Sequence, residues 1–493
     1  MAERVGSAGG TTLVELLDRA AADTPDRPAW TVDLPGCSPT TLTFAEVARR
    51  TGELASALRA RGVAPGDRVG VMLGNTVEFP LTWLALARLG AAMVPLNTRY
   101  RSDDVAHLLT DAGVRLVVAR PEHEALLSSY AEVVGPEELV ADPDDQPWVQ
   151  EPLDPRTVVN VQYTSGTTGR PKGCLLDHTY WTTLGGSMLT EHPHLGPDDV
   201  LLTAQPFSYV DPQWNVVSAL MAGAHLVVLD GFHPSTFWAK VREHQVTYFY
   251  CLASMPVLLL KMPPDPLDRE HRVRAVQCSA IPPALHAELE DRWGAPWSEA
   301  FGMTETGADI RVSAEEHDEL VGSGCLGRPA AHREARLDAG DNGAGQLWLR
   351  GPGMMQGYLG HPSPFDEDGW FPTGDLARTD EQGRLYLAGR LKDMIRRSGE
   401  NIAAVEVEEV LLAHPAVRLA AVIGVPDEVR GEEVAAYVVA PGATPEELTA
   451  WCAERLAPFK VPSVWRLRDE LPLTASHRVE KAALRREVSG AAS

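Results

Sequence analysis

Positive charge is in short supply in this 493-residue sequence: 44 lysines and arginines stand against 68 aspartates and glutamates, a formal charge of −24. A chain so acidic is repelled by nucleic acid and by anionic membrane surfaces, so neither is expected as a partner. Cysteine is sparse too. The six residues, at 37, 174, 251, 278, 325 and 452, form no CxxC pair and no Cys/His cluster at metal spacing. That excludes a disulfide scaffold and a structural zinc site, and points to reduced thiols. No stretch reaches the roughly 18 consecutive apolar residues of a membrane span, and the opening MAERVGSAGG holds no apolar signal core. There is no internal repeat and no low-complexity tract. The expectation is a soluble cytoplasmic protein, monomer or homodimer.

What is present is the composition of an ordinary globular protein, 44% hydrophobic and 23% charged. The length predicts two or more domains. Helical spacing of Leu13, Leu16 and Leu17 follows two candidate caps, Thr11 and Thr12. A stronger amphipathic helix over 43–62 places Phe44, Val47, Leu54 and Leu58 on one face and stops at Gly62. Apolar runs at 67–73, 114–119 and 225–230 read as buried strands between helices, which predicts a mainly parallel sheet covered on both faces. The pattern changes near residue 390. A charged, glycine-containing break is followed by helix, strand, strand and helix, the last capped by Thr444 above Glu447. The fold class expected is therefore α/β, a large N-terminal multi-sheet domain over 1–391 and a small mobile α+β lid over 392–493, hinged at Lys392.

One loop asks for a ligand. QYTSGTTGRPKG, residues 162–173, crowds hydroxyls, glycines and two cations behind a strand-like run of Val158, Val159 and Val161. Glycines let backbone amides approach an anion, hydroxyls donate to it and a lysine offsets its charge. The same residues also make plain solvated turns. The spacing departs from the common phosphate loop, because Gly173 rather than Ser or Thr follows Lys172. On its own the loop leaves phosphate and turn both open.

Five ordered stretches decide between them: YTSGTTGRPKG (163–173), FGMTETG (301–307), WFPTGD (370–375), GRLKDMIRRSGENI (389–402) and LPLTASHRVEKAALR (471–485). Together they resemble the adenylate-forming superfamily of acyl-CoA synthetases, peptide-synthetase adenylation domains and luciferases, over nearly the whole chain. In texture, PFSYVD and RRSGEN are most similar to carnitine/crotonobetaine-type CoA ligases. The resemblance implies ATP and Mg²⁺, formation of an acyl-adenylate with release of pyrophosphate, and then a swing of the lid that admits a second nucleophile, usually the thiol of CoA. It also implies roles. Thr164, Ser165, Gly166, Thr167, Thr168, Gly169 and Lys172 would hold the β- and γ-phosphates. Thr304 would touch the α-phosphate and Glu305 would ligate Mg²⁺. Phe301 and Gly302 would lie on one side of adenine, Ser279 and Ala280 on the other. Asp375 and Arg390 would bind the ribose, and Tyr209, Asp211 and Trp214 would line the acyl pocket.

The lid departs from the family. Where the pattern is Pro-x-Thr-x-Ser-Gly-Lys, this chain has His477 and Arg478 in the last two places. A planar guanidinium does not replace a compact ammonium one for one, and Lys481 stands nearby as an alternative cation. The leading expectation is an acid–CoA ligase for small or aromatic acids. Another is an ATP-dependent diazotase, in which nitrite is activated and an aromatic amine attacks; a third is loading of a carrier protein.

Overall fold

The computed structural model describes residues 10–140, 151–164, 170–252, 254–338, 343–398, 400–427, 429–474 and 478–490. It is a mixed α/β protein with a large N-terminal domain and a small C-terminal domain. The expected helices form for the reasons their sequences suggest. Thr12 caps Leu13–Asp23 in a reciprocal pair with Glu15, and Thr43 does the same with Glu46 for Phe44–Ala60. Phe44, Val47 and Leu58 are buried and Leu54 half-buried, and the chain turns out of this helix at Arg61 and Gly62, whose φ is +86°.

Two sheets build the large domain. Six strands run Glu132–Val134, Leu116–Ala119, Arg68–Met72, Ala92–Pro95, Val158–Thr164 and Lys172–Asp177, parallel up to the last pair. The longer sheet is parallel from Pro28–Asp33 through His225–Leu229, Val200–Thr203, Tyr248–Leu252 and Ala275–Ser279 to Trp297–Met303. Beyond that point it turns antiparallel, through Gly307–Arg311 to Leu385–Arg390. The expectation of a mainly parallel sheet is corrected here. The link from Met303 to Gly307 is too short for a crossover helix, so the chain must fold back on itself. One large core unites the faces of both sheets, filled by Trp30, Trp83, Trp181, Trp293 and Trp297 among others.

After Arg390 a single 3-10 turn, Leu391–Asp393, leads into the C-terminal sheet, which begins with Met394–Arg397 and has its own apolar core. Thr444 caps Pro445–Ala453 together with Glu447, as its sequence predicts. Among the described residues no helix is long and apolar enough to cross a membrane.

Several histidines are placed where protonation is costly. Burial lowers the pKa of His178, His192 and His225 to about 4 and that of His332 to about 3. His178 also uses Nδ1 to accept the backbone N–H of Leu13 at 3.1 Å, tying the first helix to His178–Thr190. Each ring is neutral in the fold, whereas in the unfolded chain it takes up a proton near pH ~6.5. Stability is therefore complete above that pH and is lost as pH falls from about 6.5 towards 4. The melting temperature is expected to drop between pH 7 and pH 4.5, and to drop less in His225→Asn. A flat profile would mean that these rings charge within the fold.

Candidate active site

The hairpin of Val158–Thr164 and Lys172–Asp177 sets Thr164 opposite Lys172 at its open end. Ser165, Gly166, Thr167, Thr168 and Gly169 lie outside the described residues, but Thr164 before them and Arg170 after them are in view. Thr164 Oγ1 donates to Glu305 Oε1 at 3.4 Å, and the Tyr358 hydroxyl donates to the same oxygen at 3.0 Å. Lys172 Nζ stands 5.3 Å from the Tyr358 ring centroid, a cation–π distance. A carboxylate, a hydroxyl, a phenol and an ammonium thus converge at one end of the hairpin. Burial raises the pKa of Glu305, while Tyr358, Arg390 and Thr164 pull it down. Tyr358 was not anticipated. Its chain is zipped onto the hairpin by Leu175 N–H to Gly357 O at 3.0 Å and Leu359 N–H to Gly173 O at 2.8 Å. The glycines around it in QGYLG (356–360) were the available signal.

Glu305 is carried by the fold-back between Trp297–Met303 and Gly307–Arg311. The turn is so tight that a Cβ on Gly302 would stand 2.2 Å from the carbonyl oxygen of Gly307, so only glycine fits. Thr304 sits half-buried in this turn. Beneath it, Arg333 Nε meets Asp309 Oδ1 at 2.7 Å with both side chains almost wholly buried. The same guanidinium donates to Thr306 O at 2.6 Å and Pro352 O at 3.1 Å, and the Thr306 hydroxyl donates to Asp309 Oδ2. Burial lifts Asp309 to about 6 against the pull of Arg333.

On the other side, Asp375 and Arg390 face each other on paired strands, and Arg390 Nε meets Asp375 Oδ1 at 2.7 Å. Asp375 is 1% exposed, yet its Oδ2 has no hydrogen-bond partner, an orphaned acceptor in a buried place. Phe301 is half-buried, and Ala280 lies exposed in a turn next to Ser279. Tyr250 and Ser279 share a hydroxyl hydrogen bond at 2.5 Å, and Ser279 Oγ donates to Ala300 O at 2.6 Å.

A small apolar cavity opens between Phe301, Trp214, Tyr250, Met188, Ala300 and Ile310. Trp214 meets Tyr250 edge-on at 5.7 Å. Tyr209 is half-buried and precedes the helix Val210–Ala222, and Asp211 lies in its first turn. Burial raises Asp211 to about 6, and the influence that opposes it first is Arg478 of the C-terminal domain. Arg478 acts in the same way on Tyr250, Cys278 and Asp375. The charge of one guanidinium from the small domain is therefore felt by groups on both the cavity side and the Asp375 side. His477 lies outside the described residues.

Lys481 does not join this group. Its Nζ is 2.7 Å from Glu408 Oε1 and 3.7 Å from Asp393 Oδ2, and these ion pairs keep it inside the C-terminal domain. In this arrangement the alternative lid cation is thus engaged within its own domain. Lys392 is in the turn between the domains, where Arg485 donates to its carbonyl at 3.4 Å and pairs with Asp393 at 2.6 Å.

Comparison with known proteins gives the setting. The model of the AMP-binding enzyme family matches residues 17–359, and that of the AMP-binding enzyme C-terminal domain matches 406–478. A feruloyl-CoA synthase of an Amycolatopsis species is 35% identical over 469 residues, covering 91% of this chain and 94% of that one. A crotonobetaine/carnitine–CoA ligase of Citrobacter koseri is 29% identical over 484 residues, covering 90% and 92%. The structure of O-succinylbenzoate coenzyme A synthetase from Bacillus subtilis, in complex with ATP and magnesium ion, superposes with a TM-score of 0.84 at 27% identity, covering 96% and 99%.

The Asp309–Arg333 pair invites a direct test. Arg333→Met leaves a carboxylate buried without its partner and is expected to lose about 3–5 kcal/mol in chemical denaturation. Arg333→Met combined with Asp309→Leu is expected to recover part of that loss. Equal stability of the single variant and the wild type would show the pair to be dispensable.

Proposed function

This chain belongs to the AMP-binding enzyme family, and from that premise we propose that it activates a small or aromatic carboxylic acid with ATP and passes the acyl group to the thiol of CoA. Its class is that of an ATP-dependent, AMP-forming acid–CoA ligase, with Mg²⁺ as cofactor and CoA as co-substrate. In the first half an oxygen of the carboxylate bonds to the α-phosphorus, the bond from that phosphorus to the bridging oxygen breaks, and pyrophosphate leaves. In the second half the CoA sulfur, its proton given up to solvent, bonds to the acyl carbon and AMP leaves.

The roles follow from the chemistry of the groups that converge. Thr164, Lys172 and the 165–169 loop take the β- and γ-phosphates, and Thr304 takes the α-phosphate. Glu305 offers the hard carboxylate oxygen that suits Mg²⁺, an ion that neutralises phosphate charge when bound. Asp375, steadied at Oδ1 by Arg390, uses its orphaned Oδ2 to accept from a ribose hydroxyl. Phe301 with Gly302 and the Ser279–Ala280 turn flank the adenine. Tyr209, Asp211 and Trp214 bound the acyl side. A single observation carries the proposal most: Arg478 acts on Asp211 and Asp375 together. A cation whose charge is felt on both the acyl and the sugar sides supports a role in stabilising charge where the carboxylate would meet the α-phosphate.

The guanidinium fork favours a second reading. In place of the family lysine, Arg478 suits a small planar anion held in two-pronged fashion, so nitrite activated for attack by an aromatic amine is the alternative. A pyrophosphate-release screen of carboxylic acids and nitrite, with and without CoA and aryl amines, separates the two. Release driven by an acid, with acyl-CoA as product, is expected; release driven by nitrite alone would replace the leading proposal with the second.

With the best acid, Arg478→Ala is expected to lower kcat for adenylation by about 10²–10³-fold and to change KM little. Unchanged kinetics would leave the lid without a cation at this position. The hinge at Lys392 is proposed because two half-reactions use one pocket under different lid faces. Lys392→Pro is expected to preserve adenylate formation and cripple transfer to CoA; an equal loss in both halves would misplace the hinge.

A further inference from the structure

The turn that follows Ala275–Ser279 is held in an unusual shape. Ala280 has φ +68°, a left-handed conformation that an alanine adopts only when its surroundings impose it. The restraint is visible. Glu299 Oε1 accepts the N–H of Ala280 at 2.6 Å, and Glu299 Oε2 accepts the N–H of Ile281 at 2.8 Å. Glu299 is 7% exposed, and both of its oxygens are engaged by consecutive amides of the turn. The Ser279 hydroxyl, bonded to Ala300 O, anchors the turn from its other end.

Glu299 and Phe301 are two residues apart on Trp297–Met303, so their side chains leave the strand on the same side. One strand therefore supplies Phe301 for one wall of the adenine site and the clamp that shapes the opposite wall. We propose that Glu299 is a positioning residue for nucleotide binding, which acts through the left-handed turn at Ala280 and not by touching the substrate. The proposal rests on the adenine reading of Phe301, Ser279 and Ala280 given above. A purely structural carboxylate would stabilise the chain without bearing on ATP affinity.

Glycine supplies the discriminating test, because it takes positive φ without a clamp. Binding of Mg-ATP is measured by calorimetry alongside the melting temperature. Glu299→Gln keeps the shape but sets an amide N–H₂ against a backbone donor, and is expected to weaken ATP about tenfold. Ala280→Gly alone is measured as the reference background for the double variant. Glu299→Gln with Ala280→Gly is expected to return to within about threefold of it. Should Glu299→Gln fail to fold, Ala280→Val leaves Glu299 in place and opposes the left-handed turn with a β-branched side chain. It too is expected to weaken ATP about tenfold. Wild-type affinity in Glu299→Gln, no recovery with glycine, or unaltered affinity in Ala280→Val each overturns the inference. If the wild-type chain itself binds no ATP, the functional reading falls and takes this inference with it.

Discussion

The pairing of Asp309 with Arg333 is the contact on which the placement of the site residues depends. Both side chains are out of water, so each charge is tolerable only beside the other. Through one guanidinium the pair fixes Thr306 at the base of the 301–307 turn and Pro352 at the start of the segment that leads to Tyr358. Met355 N–H then bonds to Glu305 O at 2.9 Å, and Tyr358 returns to the Glu305 carboxylate itself. A closed circuit results, from Arg333 to the turn, along the chain and back. Such a buried pair contributes less to net stability than apolar residues of equal volume often would. Its effect here is geometric, because it anchors both ends of the segment that holds Glu305 against Tyr358.

The second constraint comes from the other domain. Asp375 is paired within the large domain by Arg390, and Arg478 of the small domain lowers the pKa of both Asp211 and Asp375. In the proposed reaction, binding and chemistry are divided between two bodies joined by the turn Leu391–Asp393. Lys481, the alternative cation of the sequence, is tied to Glu408 and Asp393, and Arg485 ties the same aspartate. These pairs make the start of the lid and its last helix one unit, so a movement of the lid would carry Arg478 with it.

Much of this was legible in the sequence, and the parts that were not share a physical cause. The caps at Thr12 and Thr444 and the apolar spacing of the first two helices are local signals, and they appear as read. Ordered motifs pointed to Thr164, Lys172 and Glu305 and to Asp375 and Arg390, groups that strand register and turns bring together in two clusters. Tyr358 escaped because its role arises from a loop laid beside a distant hairpin, a contact with no periodic signature. Glu299 escaped because a carboxylate in a strand gives no hint of the amides it will meet across the sheet. The antiparallel half of the long sheet was hidden in a turn whose tightness is set by Gly302 and Gly307 packing on each other.

In the proposed reaction the activated acid passes through a bond between its own oxygen and the α-phosphorus, and that bond leaves an isotopic trace. The acid that gives the greatest pyrophosphate release, labelled with ¹⁸O in its carboxylate, is turned over with ATP and CoA. Mass spectrometry of the AMP is predicted to show one ¹⁸O atom carried from the acid to the phosphate. AMP free of label, with acyl-CoA still formed, would contradict the adenylate route and the assignment of the site that rests on it.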